Sequence, residues 1–258
     1  MLSRFAGSRV VVTGAATGIG FAVAEAFLAE GARVLLADVD GEAAQAAADA
    51  LGGDDTAIGV ACDVRDTESV ERMIATAVDR WGGVDVLVNN AGVGRSKLLQ
   101  DTTDEEIDAI LDVNVKGVVL CTRAVLPLMY AHGAGAVVSV GSQAGKRGAP
   151  EVSVYSASKM AVVGFTRALA VEAAPTVRIN AICPGLVSTD MMARNIDDTA
   201  AKLGIEREQA EAQWLAPVPL GRMQTPQKVA GAVLFLASDA ASEMTGEALN
   251  FSGGMVMH

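Results

Sequence analysis

The stretch Arg9-Val10-Val11-Val12-Thr13-Gly14-Ala15-Ala16-Thr17-Gly18-Ile19-Gly20 decides how this chain folds. Its first residues form a short apolar run that is typical of a buried strand, and the glycines follow at once. Beyond them Ile19, Val23 and Phe27 recur at every fourth position, which predicts an amphipathic helix. The stretch therefore predicts a strand, a tight glycine turn and a helix in immediate succession.

The glycines of this turn have the spacing of a phosphate-binding loop. Glycines at 14, 18 and 20 would let the backbone turn tightly and approach a pyrophosphate. The pyrophosphate would lie on the helix N-terminus, where free N–H groups and the helix dipole favour an anion. An ordinary tight turn also fits the spacing, but the position between strand and helix favours a dinucleotide. The candidate cofactor contacts here are Gly14, Thr17, Gly18, Ile19 and Gly20.

The same alternation of strand and helix continues along the chain. Short apolar runs recur between longer amphipathic stretches, and runs that are apolar on both faces indicate parallel strands covered on both sides. The runs are Arg9 to Val12, Arg33 to Ala37, Ala57 to Ala61, Val84 to Val88, Ala136 to Val140, Val177 to Ile182 and Ala248 to Phe251. The predicted fold class is α/β, a doubly wound parallel sheet with helices on both faces, in one domain over 1–258.

One segment, Val187 to Pro219, breaks the alternation. It is polar, and an insertion between a strand and the next helix lies beside the carboxyl ends of the strands, where ligands bind. We therefore predict that 187–219 is a substrate lid. Its residues Met191, Met192 and Trp214 could line a substrate pocket or pack against the lid's own helices.

Composition narrows the classes of function. The chain has 258 residues, 51% of them hydrophobic, and a formal net charge of −11, which argues against a nucleic-acid or anionic-membrane partner. No apolar run reaches the ~20 residues of a membrane span, and the start shows no signal-peptide pattern. Three widely spaced cysteines fit reduced thiols in a cytoplasmic protein. Two histidines without a cysteine cluster predict no metal site.

The residue that ends the second predicted strand, Asp38, points to the choice of cofactor. It lies 18 residues after Gly20, where an acidic side chain accepts hydrogen bonds from the adenosine ribose and repels a 2′-phosphate. No Arg or Lys occupies positions 15, 16 and 39 to neutralise such a phosphate. The sequence therefore favours NAD over NADP. The alternative is that Asp38 only caps the next helix.

Polar residues follow two later strands and lie on one later helix. Asn89-Asn90-Ala91-Gly92 comes after one strand, and Ser142 ends another. Tyr155 and Lys159 are four residues apart, so on a helix both side chains share one face. A Tyr/Lys pair alone is more often a surface pair, but Ser142 would reach the same crevice.

These features, in this order, make the sequence similar to the short-chain dehydrogenase/reductase family. The matching elements are the Gly14/Gly18/Gly20 loop, Asn89-Asn90-Ala91-Gly92, Asn114 in Asn114-Val115-Lys116-Gly117, Ser142 with Tyr155 and Lys159, and Pro184-Gly185 followed by Thr189. They extend over essentially the whole chain. One departure is Phe251-Ser252-Gly253-Gly254, where many members carry Asp before the two glycines.

The resemblance implies a catalytic tetrad of Asn114, Ser142, Tyr155 and Lys159. Tyr155 would be the general acid/base, Lys159 would lower its pKa and bind the nicotinamide ribose, Ser142 would bind the substrate oxygen, and Asn114 would hold a water. It implies further cofactor contacts at Asp63, Val64, Asn90, Ala91, Gly92, Tyr155, Lys159, Pro184, Gly185, Val187 and Thr189, with Asp63 and Val64 beside the adenine and Thr189 on the carboxamide. It also implies a homotetramer, with interfaces at the helices around 114–130 and 155–171.

The expected function is reversible hydride transfer between NAD and a secondary alcohol or ketone. The sequence is similar to members that oxidise sugar alcohols and butanediols, which predicts a small polyol, vicinal diol or hydroxyketone as the small-molecule substrate. Its contacts would be Ser142, Gln143, Glu151 and Tyr155, although Gln143 and Glu151 could equally be solvated loop residues.

Three other functions stay open. A 3-oxoacyl thioester reductase is the main alternative within the family, but such reductases usually look NADP-dependent, with basic residues near the glycine loop that this chain lacks. A catalytically silent NAD-binding regulator would need no proton donor. A nucleotide-binding transferase would have no use for the Tyr155/Lys159 pair.

Overall fold

A seven-stranded parallel sheet forms the centre of the molecule in the computed structural model, which describes residues 3–53 and 55–257. The strand order is β3-β2-β1-β4-β5-β6-β7. The strands are β1 (Arg9–Thr13), β2 (Arg33–Asp38), β3 (Ala57–Ala61), β4 (Val86–Asn89), β5 (Gly135–Val140), β6 (Val177–Pro184) and β7 (Ala248–Phe251). The order reverses between β1 and β4, so a crevice opens beyond their carboxyl ends.

Helices cover both faces of this sheet. They are α1 (Gly18–Ala29), α2 (Gly41–Ala50), α3 (Thr67–Trp81), α4 (Asp104–Leu111), α5 (Gly117–His132), α6 (Ser153–Ala173), α7 (Asp190–Leu203), α8 (Arg207–Leu215) and α9 (Pro226–Ala237). One hydrophobic core lies between the sheet and α1 and α9, around the fully buried Phe27. A second lies on the opposite face against α3, α5 and α6, around Met129. The predicted α/β fold class is confirmed.

The observed strands differ from the predicted ones mainly at their ends. The run predicted from Val84 forms a strand from Val86, although the Asp85 amide already donates to the Arg9 carbonyl and the Asp85 carbonyl accepts from the Ala136 amide. At the other end of the sheet β6 continues through Pro184, two residues beyond the apolar run. Burial alone therefore marks a strand without fixing where its hydrogen bonding begins or ends.

The 187–219 segment is ordered as two packed helices, α7 and α8. They share a small apolar cluster of their own with residues Leu186, Met192, Ile196, Ala210 and Val218. Trp214 packs against that cluster, and its Nε1 donates to Thr199 Oγ1 at 3.1 Å. Met192 and Trp214 therefore pack within the segment, the second of the two roles considered above.

The described chain contains neither a membrane-spanning helix nor a cluster of metal-ligating side chains. None of its helices is long and apolar enough to cross a bilayer. Nor do three or more His, Cys, Asp or Glu residues within 3–53 and 55–257 come together as a metal-binding group. All three cysteines, Cys62, Cys121 and Cys183, are free thiols buried in the protein.

Candidate active site

The glycine loop between β1 and α1 is packed too closely for any larger side chain. A Cβ on Gly20 would lie 2.2 Å from the carbonyl oxygen of Gly14, and one on Gly14 would lie 2.7 Å from Ala91 Cα. Gly14 and Gly18 both have positive φ, of 61° and 59°. Thr17 precedes α1 without a side-chain cap, and the first turn holds no acidic residue. The positive end of α1 therefore faces the crevice uncapped, as an anion site requires.

The amide side chain of Asn90 holds this loop in place. Its Nδ2 donates to the carbonyl oxygens of Thr13 at 3.0 Å and Gly14 at 2.8 Å. The hydroxyl oxygen of Thr13 in turn accepts from the backbone amides of Asn90 and Ala91, each at 3.1 Å. The sequence predicts Asn90 as a cofactor contact; its side chain is hydrogen-bonded within the protein, where it holds the loop.

Asp38 ends β2 beside the same loop. Its Oδ2 accepts from the backbone amide of Ala16 at 3.2 Å, and its Oδ1 accepts from that of Asp40 at 3.3 Å. The cap of α2 is Asp40, whose carboxylate accepts from the amide of Ala43. The capping alternative for Asp38 is therefore wrong, and its carboxylate lies beside the glycine loop.

Asp63 and Val64 follow β3, farther along the same edge of the sheet. The carboxylate of Asp63 is paired with Arg65 at 2.7 Å, which lowers the pKa of that carboxyl. Val64 is nearly buried, and a Cβ on Gly117 would lie 2.7 Å from its Cγ2. At the position where the resemblance predicts the adenine, Val64 thus supplies apolar surface and Asp63 supplies backbone groups.

Asn114 lies at a break in helical geometry between α4 and α5. Residues 112–116 form a turn of π-helix, a feature often found at functional sites. The Asn114 amide is fully buried; its Oδ1 accepts from Val93 N at 2.8 Å, and its Nδ2 donates to Ser158 Oγ at 3.0 Å. Ser158 donates to the carbonyl oxygen of Tyr155, so Asn114 is connected to the catalytic helix.

The other three members of the candidate tetrad come from β5 and α6. Ser142 follows β5 and its hydroxyl lies beside the phenol of Tyr155, while Lys159 Nζ lies 5.8 Å from the centroid of the Tyr155 ring. Gly92 is nearby, because a Cβ there would lie 3.3 Å from both Asn114 Oδ1 and Lys159 Nζ. The structure thus brings all four side chains to one end of the crevice.

The protonation of this pair differs from the expectation that Lys159 lowers the pKa of Tyr155. Burial raises the pKa of the Tyr155 phenol, and the hydrogen bond with Ser142 only partly opposes that shift. Burial also lowers the pKa of Lys159 to about 8. The Lys159 ammonium donates to the carbonyl oxygen of Val140 at 2.9 Å, which satisfies one of its three donors. In the protein alone, burial is the largest cause of both pKa shifts.

The segment after β6 closes the crevice on its far side. Pro184 ends the strand, and Gly185 donates its amide to the carbonyl of Phe251. Val187 pairs with Gln224 in an isolated bridge. Thr189 caps α7 by accepting from Met192 N, and a Cβ on Gly18 would lie 3.6 Å from the Thr189 methyl. Thr189 therefore faces the glycine loop across the crevice.

The two candidate substrate residues have different surroundings. Gln143 begins a short 3₁₀ turn directly after Ser142, and its Oε1 is buried without a hydrogen-bond partner. Glu151 instead forms an ion pair with Lys202 of α7, and its φ of 65° is unusual for a residue other than glycine. The carboxylate of Glu151 thus ties the catalytic segment to the 187–219 segment, whereas Gln143 keeps an unused acceptor.

Sequence reasoning missed two participants. Ser158 connects Asn114 to Tyr155, and Lys202 pairs with Glu151. Ser158 lies one residue before Lys159, so helical geometry placed it near the tetrad but said nothing of its partner. Nothing in the local sequence around Lys202 indicates a pairing with a residue 51 positions away.

The crevice as a whole fits a nicotinamide dinucleotide. The uncapped start of α1 suits the pyrophosphate, the carboxylate of Asp38 suits ribose hydroxyls, and the small residues Ala91 and Gly92 leave room beside Lys159. Comparison with known proteins agrees. The model of the family described as enoyl-(acyl carrier protein) reductase matches residues 14–256.

Individual proteins match over almost the full length. The chain is 44% identical over 253 residues to the monensin polyketide synthase putative ketoacyl reductase of Streptomyces virginiae, covering 96% of this chain and 97% of the relative. A short-chain type dehydrogenase/reductase from Mycobacterium marinum superposes with a TM-score of 0.89 at 35% identity, over 100% and 98% of the two chains. Levodione reductase superposes with a TM-score of 0.91 at 32% identity, over 97% and 98%.

Proposed function

The chain belongs to the short-chain dehydrogenase/reductase family of oxidoreductases that use a nicotinamide cofactor, and from that premise we propose that it interconverts a secondary alcohol and a ketone with NAD. The observation that supports this most is the convergence of Asn114, Ser142, Tyr155 and Lys159 at one end of the crevice. A silent regulator would not need this buried set of proton-handling groups.

Each tetrad residue has a separate task in this proposal. The crevice would hold a nicotinamide dinucleotide, which would supply the hydride chemistry at the substrate carbon. Tyr155 exchanges the proton on the substrate oxygen, and Ser142 hydrogen-bonds the same oxygen. Lys159 keeps positive charge near the phenol, and its lowered pKa of about 8 lets it release a proton in turn. Asn114, held by Val93 and Ser158, positions the group that passes the proton to solvent.

The preference for NAD over NADP is supported by the surroundings of Asp38. Its carboxylate accepts from Ala16 N at the glycine loop, so a 2′-phosphate would approach a negative charge. The neighbouring residues Ala15, Ala16 and Val39 bring no cation that could neutralise it.

The proposed substrate is a small polyol, vicinal diol or hydroxyketone. The unpartnered Oε1 of Gln143 supports this, because a buried acceptor next to Ser142 favours a substrate with a second hydroxyl. The test compares kcat/KM for a vicinal diol and the matching mono-alcohol, then repeats the comparison in Gln143→Ala. We expect the wild type to favour the diol and the variant to lose at least several-fold of that preference. A better mono-alcohol substrate, or an unchanged ratio in Gln143→Ala, would contradict this substrate class.

A 3-oxoacyl thioester reductase remains the second candidate, since the Streptomyces virginiae relative is named a putative ketoacyl reductase. The two candidates differ in cofactor and substrate size. Reduction of a 3-oxoacyl thioester with NADPH at a higher kcat/KM than any small hydroxyketone with NADH would favour the reductase.

We also propose a homotetramer that works in the cytoplasm. Exposed apolar side chains on α5 and α6 support the assembly: Tyr130, Met160 and Val171 are 45%, 48% and 82% exposed. These helices include the regions that the family resemblance assigns to interfaces. Three buried free thiols support a reducing compartment. Light scattering of the purified protein tests the assembly, and a monomer at micromolar concentration would contradict it.

A further inference from the structure

A small pocket next to the tetrad has charged walls that the proposed chemistry does not use. It lies between the loop after β4, the start of α4 and the start of α6, and Tyr155 borders it. Ile110, Val152 and Val154 supply apolar surface. The charged side chains that line it are Arg95, Lys97, Glu106 and Glu151.

Most of these charges are already neutralised. Lys97 Nζ lies 2.8 Å from Glu106 Oε2, and Glu151 is paired with Lys202. Arg95 differs, because no carboxylate in the part of the chain described here lies within 4.0 Å of its guanidinium. The charge of Arg95 lowers the pKa of the Glu106 carboxyl as well, but by less than the hydrogen bond from Lys97 does. The pocket wall thus keeps one positive charge without a partner.

The backbone fixes where that charge lies relative to the tetrad. Gly94 packs against the Tyr155 ring so closely that a Cβ there would lie 2.8 Å from Tyr155 Cδ2. Arg95 is the next residue, so its guanidinium starts from a backbone in contact with the reacting tyrosine. Arg95 and Tyr155 line the same pocket, so a substrate that reacts at Ser142 and Tyr155 and enters this pocket with its far end would approach Arg95.

We propose that Arg95 is a specificity-determining residue and that the substrate carries an anionic group, a carboxylate or a phosphate, at the end remote from the reacting carbon. This rests on the proposed alcohol/ketone chemistry and narrows its substrate class. A guanidinium matches either anion through paired N–H donors. Because Arg95 is exposed, its attraction for the anion weakens as salt screens it.

The test measures NADH-linked reduction of two matched ketone pairs. One pair is acetoacetate and its methyl ester, and the other is dihydroxyacetone phosphate and dihydroxyacetone. The selectivity is the ratio of kcat/KM for the anion to that for the neutral partner. We expect a ratio of at least about tenfold for one pair, the size of a charge-assisted hydrogen bond. The pair with the larger ratio identifies the anion as carboxylate or phosphate.

Two variants should move this ratio in opposite directions. Arg95→Gln removes the unpaired charge, so the ratio should fall about tenfold, and Arg95→Lys should restore part of it. Glu106→Gln keeps a side-chain acceptor for the Thr103 amide, so the cap of α4 is preserved. It leaves the Lys97 ammonium without its carboxylate, so the pocket gains a second unpaired positive charge and the ratio should rise. Arg222→Gln changes an exposed arginine outside the pocket and should leave the ratio as it is.

The outcomes separate this inference from the proposed function. If the neutral ketones are reduced and the ratio is near one, the substrate is not selected for an anionic group. The same holds if neither Arg95→Gln nor Glu106→Gln changes the ratio. Both results would overturn the anionic substrate and leave the alcohol/ketone chemistry standing. A ratio that persists at high salt would also count against the role of Arg95. Failure of all four ketones to oxidise NADH would overturn both.

Discussion

The carboxylate of Asp38 accepts a hydrogen bond from the backbone amide of Ala16 at 3.2 Å. This contact joins the end of β2 to the glycine loop after β1, two neighbouring strands of the sheet. A negative charge is therefore fixed at the place where the adenosine ribose of a dinucleotide would lie. The contact also stiffens the loop that receives the pyrophosphate.

Replacing Asp38 with Ala should narrow the preference for NADH over NADPH. The variant loses both the repulsion of a 2′-phosphate and a charge-assisted hydrogen bond, together worth roughly 1.5–3 kcal/mol, or about ten- to a hundredfold. Values of kcat/KM with the two cofactors, for wild type and variant, measure this. A wild-type enzyme that prefers NADPH would refute the role given to Asp38.

Replacing Asn90 with Ala should weaken both the fold and cofactor binding. The variant leaves the carbonyl oxygens of Thr13 and Gly14 without their side-chain donor, which costs roughly 1–3 kcal/mol of unfolding free energy. Because the glycine loop is then less ordered, the Kd for NADH should rise several-fold. Denaturant unfolding and fluorescence titration measure the two effects. Normal stability combined with normal NADH affinity would show that Asn90 does not hold the loop.

Replacing Lys159 with Met should stabilise the protein near pH 7 and less so near pH 10. Burial lowers the pKa of Lys159 to about 8, against ~10.4 in the unfolded chain. Below pH 8 the buried lysine is charged, and this destabilises the native state. Between pH 8 and ~10.4 only the unfolded chain holds the proton, so the destabilisation fades as pH rises. The full penalty is roughly 3 kcal/mol, reduced by the loss of the Val140 hydrogen bond.

Denaturant unfolding of wild type and Lys159→Met at both pH values measures this difference. Activity near pH 7 should be lost in the variant, because the ammonium beside Tyr155 is gone. A difference in unfolding free energy that stays constant, or that grows with pH, would mean that the lysine is not held in a desolvated position.

The segment 187–219 should act as a substrate lid that moves as a unit. Since α7 and α8 pack around their own apolar cluster, amides inside these helices should be protected from hydrogen exchange even without ligand. Protection should increase when NAD and substrate bind, most of all at 187–189, where the segment joins β6. Equal exchange in the free and bound protein would argue against a lid.

The fold followed from the sequence because its signals are local. A buried strand, a glycine turn and a helix lie within Arg9–Ala29, and the same period repeats down the chain. The 187–219 segment was harder to interpret, since its helices bury only a few Met, Ile and Ala side chains against one another. Such a small apolar face gives a weak periodic signal in a polar stretch.

The candidate site was predictable in its residue types but not in its energetics. The spacing of Tyr155 and Lys159 placed both on one helix face, yet the direction of the Tyr155 pKa depends on burial and on the Lys159 hydrogen bond to Val140. The hydrogen bond from the Asn90 side chain to the Gly14 carbonyl joins residues 76 positions apart. Such pairings arise only once the sheet has formed.

The central claim, that Tyr155 exchanges the proton in an NAD-dependent alcohol/ketone reaction, is tested most directly by the pH dependence of turnover in wild type and Tyr155→Phe. Because only the phenolate accepts a proton, alcohol oxidation should rise with pH and ketone reduction should fall with it. Tyr155→Phe should lose nearly all turnover in both directions while its Kd for NADH stays within about twofold of wild type. A Tyr155→Phe enzyme that keeps a substantial share of the wild-type rate would contradict the account.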